Sequence, residues 1–357
     1  MNVIVDLDKI RTNIRTIKKH TSKDIIACVK SNAYGLGASY IIKTLLKENV
    51  NYFFFNKLKE YLDVKELLKD KNVLIYESLT KEQINKYYTP NLILTIKNTN
   101  DATIYKNTRT CIRVHLEIDT GMNRCGIRSI NECINIINYI KDSLIIDGIY
   151  THFASGKDEY EYYINQVNKF KNYLNLYPFN IIHSASTSSL HKDIIGNMVR
   201  VGMGMYGYHT NLKLSPALSI YTHLTNIINL ENGDKVGYNF LYKAYGCETL
   251  GVVDMGYFEI RDINKVYCLN KAYKFIGKTC MNHSFIIIDP EINLLSRLSL
   301  LPKFGIIDTD EYDYYKILTS LNHIKKNYLE RDNYEIHYVF KSTSKKSWKW
   351  RIRKRSY

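Results

Sequence analysis

The residues of this chain that could do chemistry stand at the ends of short apolar runs, and Lys30 is the first of them. Burial at the end of a strand would lower the pKa of its amine and free the amine to form a Schiff base with a carbonyl compound. A strand-end lysine whose amine simply reaches solvent is the plainer alternative. The Asn-Ala-Tyr-Gly turn at residues 32–35 brings Tyr34 and several backbone amides to the same place, which favours the chemical role.

A second group of polar residues follows later apolar runs in the same manner. It comprises Arg124, His152, the hydroxyl-rich segment 183–189, and Arg200 with Gly202. Small hydroxyl residues and glycine allow backbone N–H groups to approach a phosphate closely, above all at a helix N-terminus. We therefore predict that the segments after residues 183 and 200 bind a phosphate.

The elements that must position these residues alternate between β-rich runs and amphipathic helical stretches over the first two thirds of the chain. Eight runs have the composition of strands: 24–30, 52–55, 73–76, 92–95, 111–118, 144–150, 179–183 and 198–201. Helix-length segments between them include 57–68, 131–141 and 160–174. The alternation predicts an α/β fold with an N-terminal (β/α)8 TIM-type barrel, and a doubly wound open sheet is the alternative. In a barrel, the polar residues described above follow the carboxyl ends of strands, where barrel enzymes place their active sites.

The pattern changes after about residue 214. Runs rich in Val and Ile then follow one another without long helices, among them 218–228, 249–255, 273–276 and 285–288. Turns of Gly, Asn and Asp separate these runs, so we predict a C-terminal, mostly β domain. The predicted boundaries are 1–213 for the barrel, 214–342 for the β domain and 343–357 for a basic tail. The short strand 2–5 is not needed to close the barrel and could pair with the second domain.

Composition is that of a globular protein, with 45% hydrophobic residues in a chain of 357. Charged residues interrupt the N-terminus, and no run approaches the ~20 apolar residues of a membrane helix, so neither a signal peptide nor a membrane span is predicted. The seven cysteines are scattered without a C-x-x-C pair, which favours reduced thiols in the cytoplasm over disulfides or a metal site. The basic tail could contact nucleic acid or an anionic lipid surface, but no nucleic-acid-binding pattern precedes it, so a solvated terminus is favoured.

Several motifs resemble those of the alanine racemase family, in the same order along the chain. Two are highly specific: Val-Lys-Ser-Asn-Ala-Tyr-Gly-Leu-Gly at 29–37 and His-Leu-Glu-Ile-Asp-Thr-Gly-Met-Asn-Arg-Cys-Gly-Ile at 115–127. Further matching segments are 151–154, 200–207, 236–239, 255–257, 280–281 and 333–336. The resemblance, which spans about residues 2–342, implies a barrel with a β domain and pyridoxal 5'-phosphate (PLP) as the cofactor. It also implies a homodimer in which the partner's β domain completes each active site.

Carried over residue by residue, the resemblance assigns roles to residues of this chain. Lys30 would bind the cofactor covalently and act as acid or base on one face, and Tyr238 of the partner subunit would act on the other face. Arg200 would donate to the pyridine nitrogen without giving up a proton, which leaves a weaker electron sink that suits reprotonation. His152 would orient the opposing tyrosine. The remaining assignments are the phosphate contacts Tyr34, Thr187, Gly202 and Met203 and the substrate and cofactor-oxygen contacts Arg124 and Met281.

Some positions depart from the family's pattern. Glu117 stands where many relatives have a lysine, carbamylated to an anion that holds the arginine equivalent to Arg124. We predict that Glu117 supplies this charge directly, so that bicarbonate has no effect. The other departures are Phe258-Glu259-Ile260, Lys278, Asn282 and Ser342. Ser342 stands where many family members have a tyrosine that contacts the phosphate, whereas the cofactor residues assigned above are kept. The departures are expected to affect substrate preference and rate.

These assignments predict a PLP-dependent isomerase that interconverts L- and D-alanine, or serine, and supplies a D-amino acid for the cell wall. Such a two-base reaction needs one acid or base on each face of Cα, and Lys30 and Tyr238 meet this need. The alternative is a PLP-binding homologue with little turnover that acts as a carrier or regulatory protein. A decarboxylase fits less well, because that group resembles a longer chain with an acidic residue where Arg200 stands.

Overall fold

The chain begins with strand β1 (Asn2–Asp6), and helix α1 (Leu7–Thr21) follows at once. Ile10, Ile14 and Ile17 form one buried stripe of α1, with the spacing of an amphipathic helix. The computed structural model describes residues 2–154, 160–190, 195–207, 212–259 and 264–300, together with the backbone of 336–339. These residues form two compact units: a barrel unit of residues 10–33 and 37–214, and a β unit of the first nine residues, residues 34–36 and those from 215 onward.

Eight parallel strands form the sheet of the barrel unit. They are β2 (Asp24–Cys28), β3 (Tyr52–Phe55), β4 (Asn72–Ile75), β5 (Leu92–Ile96), β6 (Arg113–Ile118), β7 (Ile145–Thr151), β8 (Ile181–His183) and β9 (Met198–Val201). Their order is β8-β7-β6-β5-β4-β3-β2-β9, so the last strand pairs with the first. A doubly wound sheet reverses its strand order partway, and this sheet does not. The barrel prediction is therefore confirmed, and the open-sheet alternative is wrong.

Helical segments connect the strands of the barrel. They are α2 (Lys30–Tyr34), α3 (Ala38–Leu46), α4 (Leu58–Leu62), α5 (Lys81–Tyr87), α6 (Thr99–Lys106), α7 (Ile130–Ile140) and α8 (Tyr160–Lys171). The prediction of one helix over 57–68 is wrong, because α4 ends before a separate 3-10 turn (Lys65–Leu67). Val64 between them has φ −132° and ψ 10°, outside the helical range, and β-branched side chains favour helices weakly. No helix among the described residues is long and apolar enough to cross a membrane.

The described residues of the β unit form two sheets and a short hairpin. Its strands are β1, β10 (Leu218–Thr222), β11 (Leu224–Leu230), β12 (Lys235–Val236), β13 (Tyr242–Lys243), β14 (Glu248–Val253), β15 (Lys265–Cys268), β16 (Lys271–Lys274), β17 (Ser284–Ile287), β18 (Leu298–Ser299) and β19 (Ile336–Val339). One sheet has the order β16-β15-β18-β10-β1-β19, the other β11-β14-β17, and β12 pairs with β13. The N-terminal strand therefore lies between β10 and β19 of this unit.

The predicted single run 218–228 is wrong, because the chain divides at His223 into β10 and β11. The division carries the chain from the six-stranded sheet into the three-stranded sheet, which a continuous strand could not do. The predicted basic tail 343–357 and Ser342 lie outside the described residues.

Candidate active site at the carboxyl ends of the barrel strands

Lys30 lies two residues beyond the end of β2 and starts a left-handed turn. Residues 31–34 all have φ between 54° and 56°. This conformation costs an L-residue about 1–2 kcal/mol, and such strain persists only where surrounding contacts impose it. The side chain and carbonyl of Asn32 accept hydrogen bonds from the N–H groups of Ala38 at 2.8 Å and Gly37 at 3.0 Å. The predicted extension of the strand to Lys30 is wrong because this turn begins first.

Arg200, in β9, is buried within the barrel unit and is 5% exposed. Its Nη1 donates to Nδ1 and to the carbonyl of His183, at 2.5 and 2.8 Å. Its Nη2 donates to the carbonyl of Thr151 at 2.6 Å and lies 3.4 Å from both the carbonyl of Ser184 and Nδ1 of His152. Because these acceptors are neutral carbonyls and rings, the guanidinium is oriented without a carboxylate in direct contact. Its Nε–H makes no hydrogen bond within the described part of the chain and remains available to a ligand.

His152 follows β7 and is kept neutral by its surroundings. Burial, with the positive charges of Arg200 and Arg124, lowers the pKa of His152 to about 3. Because its Nδ1 faces the donating guanidinium of Arg200, the neutral ring carries its proton on Nε2. The Nε2–H can therefore donate to an oxygen, as the role assigned to His152 requires.

The two loops predicted to bind phosphate are joined by Thr187. Its hydroxyl accepts a hydrogen bond from the N–H of Gly204 at 3.1 Å and lies 3.4 Å from the N–H of Gly202. Thr187 starts a 3-10 turn after β8, and Met203 starts another after β9. The structure thus brings together Thr187, Gly202 and Met203, while Tyr34 ends the left-handed turn after Lys30.

Glu117, in β6, lies inside the barrel among positive charges and is 2% exposed. Its Oε1 is 4.0 Å from Nη2 of Arg124. The cations of Arg124 and Lys97 lie 5.5 and 4.8 Å from the centre of the Tyr76 ring. Oε2 of Glu117 and the hydroxyl of Tyr76 face each other without completing a well-formed hydrogen bond among the described residues. Burial raises the pKa of Glu117 to about 7, although Arg124, Arg200 and Lys97 act to lower it.

Tyr238 and Met281 belong to the β unit. Tyr238 starts a 3-10 turn after Gly237, whose φ of 69° suits glycine, and its side chain is 65% exposed. The side chain of Met281 is 53% exposed, and its carbonyl accepts a hydrogen bond from the N–H of Phe258 at 3.0 Å. A Cβ on Gly256 would lie 2.3 Å from the same carbonyl, so this close approach requires glycine. In the isolated chain, the side chains of Tyr238 and Met281 are therefore accessible to another molecule.

Two of the departures from the family's pattern contact each other. Nδ2 of Asn282 donates to Oε1 of Glu259 at 2.7 Å, and Oε2 of Glu259 accepts from the N–H of Gly256 at 2.8 Å. An aspartate at position 282 would set a second carboxylate against Glu259, so the two residues form a matched pair. Lys278 is exposed, and Ile260 lies outside the described residues.

Three further polar residues, for which the sequence predicted no individual role, lie behind Arg200: His115, His183 and Asp147. Nδ1 of His115 is 2.9 Å from Nε2 of His183, and the His183 ring stacks on Tyr150 with a centroid distance of 4.7 Å. The available signal was a histidine inside the apolar run 111–118. That signal could not show that two rings from different strands meet.

The fold and the site define a (β/α)8-barrel enzyme that carries a lysine after its first barrel strand and a buried arginine in its last one, together with a second unit of strands. The alanine racemase N-terminal domain family matches residues 5–210, and the alanine racemase C-terminal domain family matches residues 217–329. The chain therefore belongs to the alanine racemase family, an enzyme family that depends on PLP.

Relatives with known names and structures are similar over nearly the whole chain. An alanine racemase of Borreliella burgdorferi (strain ZS7) is 28% identical, across 92% of this chain and 97% of the relative. A crystal structure of alanine racemase from Bacillus anthracis with bound L-Ala-P has a TM-score of 0.80 at 24% identity and covers 97% of each chain. The structure from Bartonella henselae with covalently bound pyridoxal phosphate has a TM-score of 0.82 at 20% identity, over 95% of this chain and 99% of that one. These likenesses confirm the predicted fold.

The residues of the barrel unit fit PLP, which carries an aldehyde, a pyridine nitrogen and a phosphate. Lys30 supplies an amine for the aldehyde, and the unused Nε–H of Arg200 supplies a donor for the nitrogen. Thr187, Gly202 and Met203 form the joined loops that suit the phosphate. All three functional groups of the cofactor thus have a chemical counterpart at the carboxyl ends of the strands.

Proposed function

We propose that the chain is an amino-acid racemase that interconverts L- and D-alanine with PLP held by Lys30, and that serine is the nearest alternative substrate. The guanidinium of Arg200 carries this proposal, because neutral acceptors orient it and its Nε–H is left for a ligand. A permanently protonated donor can hold a ring nitrogen by a hydrogen bond without transferring a proton to it.

Arg200 sets how strongly the bound cofactor acts. When bound, PLP withdraws electrons from the Cα of the attached amino acid and lowers the cost of removing its proton. Arg200 limits this withdrawal because it donates a hydrogen bond and keeps its own proton. A guanidinium at this position would therefore favour the return of a proton to the substrate over side reactions. Tyr34, Thr187, Gly202 and Met203 would hold the phosphate.

Inversion requires a proton acceptor on one face of Cα and a proton donor on the other. Lys30 would serve one face, and Tyr238 of the partner subunit would serve the other in a homodimer. The exposure of Tyr238, Phe240 and Leu241, at 65%, 66% and 66%, supports this arrangement, since a partner would cover such an apolar surface. The Nε2–H of His152 would orient the phenol oxygen of the partner's Tyr238.

Arg124 would bind the carboxylate of the substrate, with the backbone at Met281 as a further contact. The ionised carboxylate of Glu117, 4.0 Å from Arg124, would hold the guanidinium in place. A carboxylate that is part of the chain requires no carbon dioxide, so added bicarbonate would not alter binding.

The D-amino acid produced would serve cell-wall synthesis, and we place the enzyme in the cytoplasm. All seven cysteines are free thiols, which suits a reducing compartment.

Borohydride trapping and proton exchange test the proposed function together. Borohydride should attach PLP permanently to the peptide that contains Lys30, and the Lys30→Ala variant should not be labelled. In deuterium oxide, the unreduced enzyme should exchange the Cα proton of L-alanine and form both enantiomers. Label on another lysine would contradict the proposed cofactor site. Label on Lys30 without exchange would instead indicate a cofactor-binding homologue with little turnover, and release of carbon dioxide a decarboxylase.

A further inference from the structure

A row of buried polar side chains continues behind Arg200 through three other strands of the barrel. Nη1 of Arg200 lies 2.5 Å from Nδ1 of His183, whose Nε2 lies 2.9 Å from Nδ1 of His115. Nε2 of His115 lies 4.0 Å from Oδ2 of Asp147. The four residues are between 0% and 7% exposed. A fixed cation and a carboxylate thus stand at opposite ends of two hydrogen-bonded imidazole rings, which are tilted by 49° to each other.

The donors and acceptors in this row allow one arrangement of protons. A guanidinium can only donate, so Nδ1 of His183 must accept and a neutral His183 carries its proton on Nε2. That proton is donated to Nδ1 of His115, which leaves the proton of His115 on Nε2, facing Asp147. If either ring took up a second proton, on its Nδ1, that N–H group would point at another N–H group instead of at an acceptor. Burial and the charge of Arg200 accordingly hold the pKa of both histidines well below its usual range.

The placement of Asp147 depends on a bulge in β7. Val114 pairs with Ile146 and His115 pairs with Gly148, so Asp147 is an extra residue in the strand. A bulge of this kind redirects a side chain, and here the carboxylate lies near His115 and Arg113. A Cβ on Gly148 would lie 2.7 Å from Nε2 of His115, so glycine leaves the space that the ring occupies.

We propose that His183, His115 and Asp147 are positioning residues that hold the guanidinium of Arg200 in one orientation through a polarised row of hydrogen bonds. The negative charge of Asp147 favours the His115 tautomer whose Nε2 proton points towards the carboxylate. This makes Nδ1 of His183 a stronger acceptor for the guanidinium of Arg200. The effect on the cofactor rests on the proposed function, whereas the arrangement of ring protons does not.

Nitrogen NMR of the full-length protein with bound PLP tests the arrangement of protons. With ¹⁵N-labelled histidine, both His183 and His115 should be neutral with the proton on Nε2 from about pH 5 to pH 8. A proton on Nδ1 of either ring, or titration of either ring near its ordinary pKa, would overturn the proposal. This measurement does not depend on racemase activity, so it can fail or succeed independently of the borohydride experiment.

Variants at His115 test whether the row acts on Arg200. In His115→Asn, the side-chain oxygen can stand near the position of Nδ1 and accept from His183, whereas His115→Leu offers no acceptor. We expect His115→Leu to lower kcat by about 10- to 100-fold, the effect of losing one hydrogen bond to a charged network, and to shift the absorbance of bound PLP. In His115→Asn, both kcat and the absorbance of bound PLP should stay close to their wild-type values. Equal defects in two folded variants would indicate a packing role only and would contradict the proposal.

Variants at Asp147 test whether its charge acts on Arg200, and they provide this test even if His115→Leu does not fold. Asp147→Asn and Arg113→Gln remove the same ion pair, whose atoms are 2.5 Å apart, but only the first removes the carboxylate. At pH 8 we expect Asp147→Asn to lower kcat about tenfold with little change in KM and to shift the absorbance of bound PLP. Because Arg113→Gln keeps the carboxylate of Asp147, it should change kcat and KM by no more than about twofold. Matching effects of the two variants would overturn the role of the Asp147 charge.

Discussion

At the scale of single residues, Glu117 links proton binding to the position of Arg124. Its carboxylate is buried and its pKa is raised to about 7, so its charge changes within the working range of an enzyme. The ionised form attracts Arg124 at 4.0 Å, and the protonated form does not. We therefore expect the KM for alanine to fall as the pH rises through about 7, measured in racemisation assays below about pH 8.

Substitution of Glu117 checks this origin of the pH dependence. Glu117→Gln should raise the KM about tenfold above pH 7 and remove its dependence on pH, since Arg124 no longer has a counter-charge. The same change at exposed Glu66 serves as the control and should leave the KM unaltered. Bicarbonate should affect neither protein. A Glu117→Gln variant that keeps the wild-type pH profile would contradict the assignment.

The same glutamate should make the fold less stable as the pH rises. The folded pKa of about 7 lies above the ordinary value of 4.5, so the folded state binds the proton more tightly. This stabilising contribution is complete below about pH 4.5 and is lost between there and about pH 7. We expect Glu117→Gln to raise the free energy of unfolding at pH 8 by a few kcal/mol, on the order of 2–3, and to have little effect near pH 4.5. Urea denaturation at the two pH values provides the measurement, and equal effects at both would contradict it.

At the scale of elements, the left-handed turn after Lys30 stores conformational strain. Ser31 is exposed, has a φ of 55° and donates its backbone N–H to Glu60 at 2.9 Å, a bond that any side chain at 31 permits. Ser31→Gly should stabilise the protein by about 1 kcal/mol, because glycine adopts positive φ without steric cost. Ser31→Val should destabilise it by at least about 1 kcal/mol. Ser31→Ala separates loss of the hydroxyl from backbone strain, and an order other than Gly, Ala, Val in urea midpoints would argue against strain.

In the β unit, the contact between Asn282 and Glu259 should be specific to this combination of residues. Asn282→Asp would replace the 2.7 Å hydrogen bond to Glu259 by two carboxylates that face each other. This should lower the free energy of unfolding by about 1–3 kcal/mol at neutral pH. Adding Glu259→Gln should recover most of the loss because a donor again faces the carboxylate. A double-mutant cycle from urea denaturation measures this coupling, and additive effects would show that the pair is not coupled.

At the scale of the whole molecule, a shared active site predicts complementation between two inactive variants. In a dimer of one Lys30→Ala and one Tyr238→Phe subunit, both defects fall in one site, and the other site is intact. Refolding an equal mixture should therefore recover about a quarter of the wild-type activity, since half of the dimers are mixed and each has one working site. Each variant refolded alone is the control. Absence of recovery despite mixed dimers would indicate that Lys30 and Tyr238 act within one chain.

Much of the fold could be predicted because its causes are local. Short apolar runs such as 52–55 and 198–201 have the length and composition of buried parallel strands, and the structure confirms them. The polar residues after these runs converge because parallel strands in a barrel present their carboxyl ends on the same side. The helix predicted over 57–68 failed where one backbone conformation, at Val64, differs from its neighbours.

Other features depend on contacts between residues far apart in the chain. His115 and His183 meet because strands β6 and β8 stand on either side of β7, and Asp147 joins them because β7 has a one-residue bulge. A side chain in a strand changes faces with a shift of one residue, so composition alone cannot place such a carboxylate. The raised pKa of Glu117 likewise comes from burial, which packing imposes. Local residue patterns were sufficient to predict the barrel, whereas the row of polar side chains behind Arg200 required the strand register, because hydrogen bonds depend on distances that only the packed structure defines.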